Sequence, residues 1–163
     1  MGSVWWIMVQ IILGLLYANM AEWVFHKYVF HVLGRKKKSA FAFHWWRHHK
    51  LSRRHGHLDE DYLMPWGSGK ELWTLLIAGA LHSPLFLVAP VFTLTLFYGI
   101  FNYYYSHKRS HTDAEWAKKK LRWHYEHHMG KDQNKNFCVT KPWFDWVMGT
   151  RVKYDYLFEK KQK

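Results

Sequence analysis

Cysteine is nearly absent from this sequence, in which Cys138 is the single thiol. One cysteine excludes a disulfide within the chain, and one thiolate cannot form a metal site alone. We therefore expect Cys138 to be a small packed residue. Any metal chemistry in this protein must depend on other side chains.

Lysine and arginine are missing from two long stretches, although the chain holds 24 of them and carries a formal net charge of +12. None precedes Lys27, and none lies between Lys70 and Lys108. About 20 apolar residues are enough for one membrane crossing. The first stretch, 4–25, therefore predicts a membrane helix. It lacks the basic start and the small-residue cleavage site of a signal peptide, so we expect it to be retained.

The second stretch predicts a helical hairpin that enters the bilayer and returns, with arms at about 71–82 and 85–105. Because proline ends or kinks a helix, the turn is expected at His82-Ser83-Pro84 or at Pro90. The hairpin is short for two complete crossings, so we expect one arm to tilt, kink or stop short of the far surface. The sequence thus predicts an all-α integral membrane protein with about three transmembrane helices in a single domain, 1–163.

The distribution of positive charge also predicts orientation and partners. Cytoplasmic segments of membrane proteins are rich in lysine and arginine, which places 26–70 and 106–163 in the cytoplasm. A basic chain rich in aromatic residues could instead bind nucleic acid. We reject nucleic acid as a partner because membrane orientation already explains the charge. Anionic lipid headgroups are the expected partners of the basic residues.

Histidine is abundant, and ten of the 13 histidines lie in closely spaced groups. On a regular α-helix, with about 100° between residues, His107 and His111 share a face, and so do His44 and His48. His49 then points away from His48, which two metal ions would explain. The candidate metal ligands are His26 and His31; His44, His48 and His49; His107 and His111; and His124, His127 and His128.

The number of candidate ligands predicts two ions. Ten imidazoles are too many for one ion, since zinc sites take three or four protein ligands. His26 and His31 are rotated by about 140° on a regular helix, so they either serve different metals or need local unwinding. Neutral nitrogen ligands favour iron, copper or zinc. The absence of an evident Glu-x-x-His pair argues against a carboxylate-bridged di-iron bundle.

The other histidines and the nearby acids have ordinary interpretations. His55 and His57 lie in a polar loop without helical pairing to the groups, so we interpret both as solvated. His82 is expected to be a turn residue. Glu126 and Asp113 could orient imidazole N–H groups, although solvated helix charges are the more ordinary interpretation.

We call the four closely spaced histidine groups histidine boxes. Taken together, they resemble the boxes of the membrane fatty acid hydroxylase and sterol desaturase superfamily, which read His-x4-His, His-x2 or x3-His-His, His-x3-His and His-x2-His-His. The tail from Asn136 to Thr140, with Pro142, Trp143, Asp145, Gly149 and Thr150, is similar to the segment that follows the last box in that superfamily. The resemblance covers most of the chain from His26 onward. In its compact size the chain is closer to bacterial carotenoid hydroxylases than to typical sterol or fatty acid members.

The resemblance implies a cytoplasmic dimetal centre that hydroxylates or desaturates a lipid with O2. The ten histidines would bind two metal ions, with iron expected and zinc as an alternative in purified protein. No cytochrome b5 domain is fused to the chain, so a separate electron donor is implied, such as ferredoxin or cytochrome b5 with its reductase. The substrate could be fatty acyl, sterol-like or carotenoid, and the sequence leaves the oligomeric state open.

Four functions are compatible with the sequence, and a lipid hydroxylase is our first hypothesis. A desaturase would share every motif. A membrane metal-binding or transport protein could also hold many histidines, but a transporter should place its ligands near the bilayer midplane. A metal-dependent membrane hydrolase would need only redox-inactive ions and no electron donor.

Overall fold

The computed structural model describes residues 2–65 and 69–159, which form helices and loops without any strand. This confirms the predicted all-α fold. Two π-helices and three short 3₁₀-helices accompany the α-helices in these ranges. The α-helices are α1 (Gly2–Val24), α2 (Lys50–Arg54), α3 (Gly69–His82), α4 (Pro90–Thr112), α5 (Ala114–Lys120), α6 (Arg122–Met129) and α7 (Trp143–Val147); the π-helices are Phe25–Leu33 and His44–His49; the 3₁₀-helices are Glu60–Tyr62, Ser83–Leu87 and Asp155–Leu157.

One helix in the described ranges is long and apolar enough to cross a membrane. It runs from Ser3 to Leu33, because α1 continues directly into the first π-helix. Its apolar side chains are largely exposed, including Trp5 and Trp6 near its start. The first predicted membrane helix therefore has a counterpart with the length and composition of a membrane span.

Helices α3 and α4 form the predicted hairpin, but their connection is longer than expected. The 3₁₀-helix Ser83–Leu87 follows α3, and α4 begins at Pro90, a residue favoured at the first helical position. The predicted start of the second arm at about Leu85 is therefore wrong, and the arm begins at Pro90, the alternative turn position. The 14 residues of α3 extend about 21 Å, less than the roughly 30 Å of a bilayer core. Neither arm is a candidate span by length and composition, so residues 2–65 and 69–159 contain one candidate where the sequence predicted about three.

Small residues allow α1 to pack closely against α4. A Cβ atom at Gly14 would lie 2.8 Å from Thr95, and one at Gly99 would lie 2.8 Å from the Cβ of Ala18. Glycine at both crossings therefore brings the two backbones nearer than larger side chains would permit. This contact fixes the distance between the helices that carry the first and third histidine boxes.

The tail after α6 folds back onto α1. Asp145 is fully buried, and its carboxylate accepts the backbone N–H groups of Phe137 and Cys138 and the hydroxyl of Thr150. The indole N–H of Trp23 donates to the same hydroxyl at 2.8 Å. Trp23, Phe137 and Cys138 form a buried cluster, so the prediction of a packed Cys138 is confirmed.

A break at Leu121 turns α6 toward the centre of the protein. Leu121 has φ of −128° and separates α5 from α6. Its side chain is buried in a cluster with Tyr103 and Val139, so the turn places an apolar residue in the core. Beyond it, α6 buries five consecutive side chains, His124 to His128.

Candidate metal centre

Each π-helix carries two histidines that are five residues apart. A π-helix is wound with hydrogen bonds from residue i to residue i+5, so residues at that spacing lie closer to one face than they would on an α-helix. His26 and His31 occupy the first π-helix, and His44 and His49 occupy the second. The first pair therefore shows the local unwinding that was one of its two predicted alternatives. The predicted pairing of His44 with His48 is wrong, because it assumed α-helical winding.

Five buried histidines from three separate helices form what we call the first group. One ring nitrogen of each lies within 4.8 Å of the corresponding atoms of all the others. Several Nε2 atoms are closer: 3.0 Å between His26 and His44, 3.1 Å between His31 and His49, and 3.2 Å between His31 and His127. The first group consists of His26, His31, His44, His49 and His127.

Four other buried histidines form the second group by the same criterion. Its members are His48, His107, His111 and His128. His111 also belongs to a third set with His57 and His124, and its Nε2 lies 3.0 Å from that of His124. All ten predicted residues thus lie in these clusters. The adjacent residues His48 and His49 lie in different main groups, as predicted. The same is true of His127 and His128.

Backbone carbonyl groups fix the orientation of three rings. His26 Nδ1 faces the carbonyl oxygen of Phe137, His127 Nδ1 lies 2.6 Å from that of Lys135, and His111 Nδ1 lies 2.8 Å from that of His57. A carbonyl oxygen only accepts hydrogen bonds, so each Nδ1 must donate the proton. In a neutral imidazole the lone pair then lies on Nε2, which faces the interior of the cluster.

Two buried carboxylates act on the second group. Asp59 Oδ2 lies 2.7 Å from His48 Nδ1, and Glu71 Oε1 lies 2.7 Å from His107 Nδ1. Glu71 also accepts a hydrogen bond from the hydroxyl of Tyr62 at 2.7 Å. Carboxylates in this position fix the ring tautomer and make Nε2 a stronger metal ligand. Sequence reasoning missed both residues as partners of histidine.

The converging nitrogens fit a bound metal ion. His127 Nε2, which carries a lone pair, lies 3.2 Å from Nε2 of both His31 and His49. Two ligands held about 2.1 Å from one ion and separated by 90–110° would lie about 3.0–3.4 Å apart. In the second group, Nε2 of His48 and of His107 is buried without a hydrogen-bond partner among the described residues. A cation would satisfy both arrangements.

Burial keeps these imidazoles neutral. Loss of water disfavours the charged ring, which lowers the pKa of His127 to about 3. The pKa values of His44, His49, His111 and His128 also fall well below 6.5, first through burial and then through repulsion from neighbouring histidines. Metal ions bind the neutral form of histidine, so these five rings are already in the protonation state for binding.

The structure also tests the predictions for two further histidines and two nearby acids. His55 is exposed as predicted, but the prediction that His57 is solvated is wrong, because its side chain is fully buried and stacks on His111. Glu126 is also fully buried, and it pairs with Arg151 at 2.7 Å instead of pointing to solvent. Asp113 caps α5 by accepting the backbone N–H of Trp116. No contact with an imidazole is described for either acid.

An apolar cavity lies between α1, α3 and α4 and reaches the first group. It has a volume of about 700 Å³, including its opening, and His26 forms part of its wall. Leu75, Leu96 and Ile100 supply much of the aliphatic wall. At the other end His82 contacts the hydroxyl of Tyr17 at 2.9 Å. His82 belongs to none of the described histidine groups; it is the last residue of α3, directly before the 3₁₀-helix of the hairpin turn.

Comparison with known proteins agrees with this geometry. A sequence model of the family described as fatty acid hydroxylase matches residues 11–150. Searches of curated proteins and of solved structures gave no match. The matched range contains both π-helices, every histidine of the three sets and the Asp145 contacts that anchor the tail. The chain belongs to the fatty acid hydroxylase family.

Proposed function

We propose that this protein hydroxylates a membrane lipid, inserting one atom of dioxygen into a C–H bond at a centre of two histidine-bound metal ions. The observation that supports this best is the position of His26, whose ring belongs to the first group and also borders the apolar cavity. A lipid chain in the cavity would lie beside the candidate metal site. Membership of the fatty acid hydroxylase family supports the same class of reaction.

Iron is the metal we expect, with zinc as an alternative occupant in purified protein. Two redox-active ions bound by imidazoles would supply the dioxygen activation that an unactivated C–H bond requires. The protein keeps the rings neutral and oriented through their Nδ1 partners. Phe137 is buried against His26, His31 and His127, with ring centroids 5.3–5.9 Å apart, and it helps to exclude water from the first group.

The cavity supports a substrate that is apolar along most of its length. Its walls come from aliphatic and aromatic residues of three helices, and such walls hold a chain by shape and burial. The polar side chains on the wall are largely engaged with the protein: Thr74 donates to the carbonyl of Lys70, and Tyr103 donates to Glu71. Fatty acyl, sterol-like and carotenoid lipids all meet this requirement.

A position in the membrane, with the metal centre on the cytoplasmic face, is part of the proposal. Exposed apolar side chains cover α1 and the tip of the hairpin, where Leu81, Leu87 and Val88 are 75%, 86% and 78% exposed. A surface of this kind indicates contact with lipid. The histidines of α4 follow its apolar part, on the side where lysine and arginine are concentrated, which supports the cytoplasmic placement.

A separate electron donor is also part of the proposal. When one oxygen atom enters the substrate, the other is reduced to water, which consumes two electrons and two protons. A ferredoxin, or cytochrome b5 with its reductase, could deliver these electrons. Positive charge near the centre, including Arg53, which donates to the carbonyl oxygens of His128 and Gly130, would favour an acidic donor surface.

Replacement of single histidines tests the proposal. We expect His128→Ala and His111→Ala to abolish turnover and to reduce bound metal, because each removes a ring from the second group. His82→Ala is the matched control, and it should leave metal content near normal. Metal analysis and turnover of each purified variant provide the readout. Full activity of His128→Ala would contradict the assignment of the site.

A further inference from the structure

His57 is a buried histidine that the ten predicted ligands do not include. It lies in the loop after α2, its side chain is 0% exposed, and its backbone adopts φ of 88°. Neither ring nitrogen has a hydrogen-bond partner among the described residues. A buried polar atom without a partner destabilises a protein, and left-handed backbone adds strain in a residue other than glycine. Such a residue persists when another interaction compensates.

The surroundings of His57 place its ring beside the second group. Its centroid lies 4.4 Å from that of His111 and 5.3 Å from that of His128. One of its ring nitrogens lies within 4.8 Å of ligand atoms of His111 and His124. The backbone of His57 is held as well, because its N–H donates to the carbonyl of Ser52 at 2.7 Å. The loop after α2 is thus held by a backbone hydrogen bond of His57 and by the contact of its ring with His111.

His111 shows that the second group and the third set describe one site. Its Nδ1 donates to the carbonyl oxygen of His57, so only the lone pair on Nε2 is free to bind metal. One lone pair binds one ion, which excludes separate ions for the two sets. The ring of His124 meets the same Nε2 at 3.0 Å. An ion bound at this Nε2 would therefore lie beside the ring of His124, and the ring of His57 stacks on that of His111.

We propose that His57 is a further ligand of the second metal ion. The inference rests on the proposed dimetal centre and deepens it. The second ion would then draw on six imidazoles, and imidazole ligands suit a divalent transition metal such as Fe²⁺ or Co²⁺. The first group offers five imidazoles. Since His26 of the first group borders the cavity, the substrate would be oxidised beside the first ion.

Cobalt loading of two glycine variants tests this inference without any turnover. Glycine tolerates the left-handed backbone at position 57 and leaves room for an added ring. We expect His57→Gly to bind the second Co²⁺ about 10–100-fold more weakly than the unmodified protein in a chelator competition, with a changed cobalt absorption spectrum. His55→Gly, which removes an exposed histidine two residues away, should match the unmodified protein.

Small molecules separate metal ligation from space filling. Imidazole should restore the affinity and the spectrum of His57→Gly, whereas pyrrole, which has the same shape but no free lone pair, should not. Equal cobalt affinity and an equal spectrum in His57→Gly and the unmodified protein would overturn the inference. Restoration by pyrrole as well, or by neither compound, would also overturn it and would indicate a packing role. Fewer than two Co²⁺ in the unmodified protein would instead contradict the dimetal centre itself.

Discussion

The ion pair between Asp59 and His48 yields a quantitative prediction. Asp59 is 1% exposed, and its Oδ2 lies 2.7 Å from His48 Nδ1, so the carboxylate raises the basicity of Nε2 inside the second group. Asp59→Asn keeps the shape of the side chain and removes the charge. Loss of such a partner weakens metal binding by about 10–100-fold, or roughly 1.4–2.8 kcal/mol. We expect one of the two ions to show this lower affinity.

A competition with a metal chelator, followed by metal analysis, measures the effect. Asp61→Asn is the control, because Asp61 pairs with the exposed Arg47 at 2.6 Å and makes no hydrogen bond to a histidine among the described residues. Exposed pairs contribute about 1 kcal/mol at most, so this variant should retain both ions at the original affinity. Unchanged metal affinity in Asp59→Asn would refute the role assigned to the carboxylate.

Three further predictions concern stability. In the metal-free protein the pKa of His127 is about 3 when folded and near 6.5 when unfolded, so the unfolded state binds more protons below about pH 6.5. Denaturant titrations should therefore show a free energy of unfolding that decreases as the pH is lowered. At pH 5 this residue should account for a loss of about 2 kcal/mol relative to neutral pH. Gly99→Ala should lower the unfolding temperature through about 1–3 kcal/mol of overpacking, whereas Gly79→Ala, with its nearest neighbour at 3.6 Å, should not. Asp145→Ala should cost about 1–3 kcal/mol for each buried donor left unpaired, measured by chemical unfolding.

Much of the candidate site could be predicted because histidine is informative at short spacing. The ten candidate residues followed from their number and spacing, whereas their division into groups did not, apart from the adjacent pair of His48 and His49. The adjacent residues His48 and His49 were expected to face different ions, since neighbouring side chains on a helix are rotated by about 100°. The structure places these two rings in different groups.

The winding of the helices could not be predicted from the same spacing. A periodicity argument assumes about 3.6 residues per turn, and under that assumption His44 pairs with His48. The two π-helices change the partner to His49 and bring His26 and His31 together. The local sequence does not distinguish these segments from α-helices. Their π-helical winding depends on tertiary contacts, in which histidine rings from distant segments pack together.

Residues that act through contacts distant in sequence were also beyond prediction. His57 has no helical partner in sequence, and it becomes buried only because α4 and α6 pack over its loop. Glu71 contacts His107, which lies 36 positions later in the chain. Glu71 is the acidic residue at the start of an apolar arm, and its position alone does not indicate a histidine partner. Both depend on tertiary packing, which local patterns do not contain.

The most direct test of the account is the metal content of protein purified from iron-supplemented cells, followed by oxygen uptake with a chemical reductant and a lipid extract. We expect close to two irons per chain, one for each main histidine group, together with reductant-dependent oxygen uptake and a product heavier by one oxygen atom. A product lighter by two hydrogens would identify a desaturase instead. Two zinc ions that iron cannot replace, with no oxygen uptake, would contradict the oxygenase account.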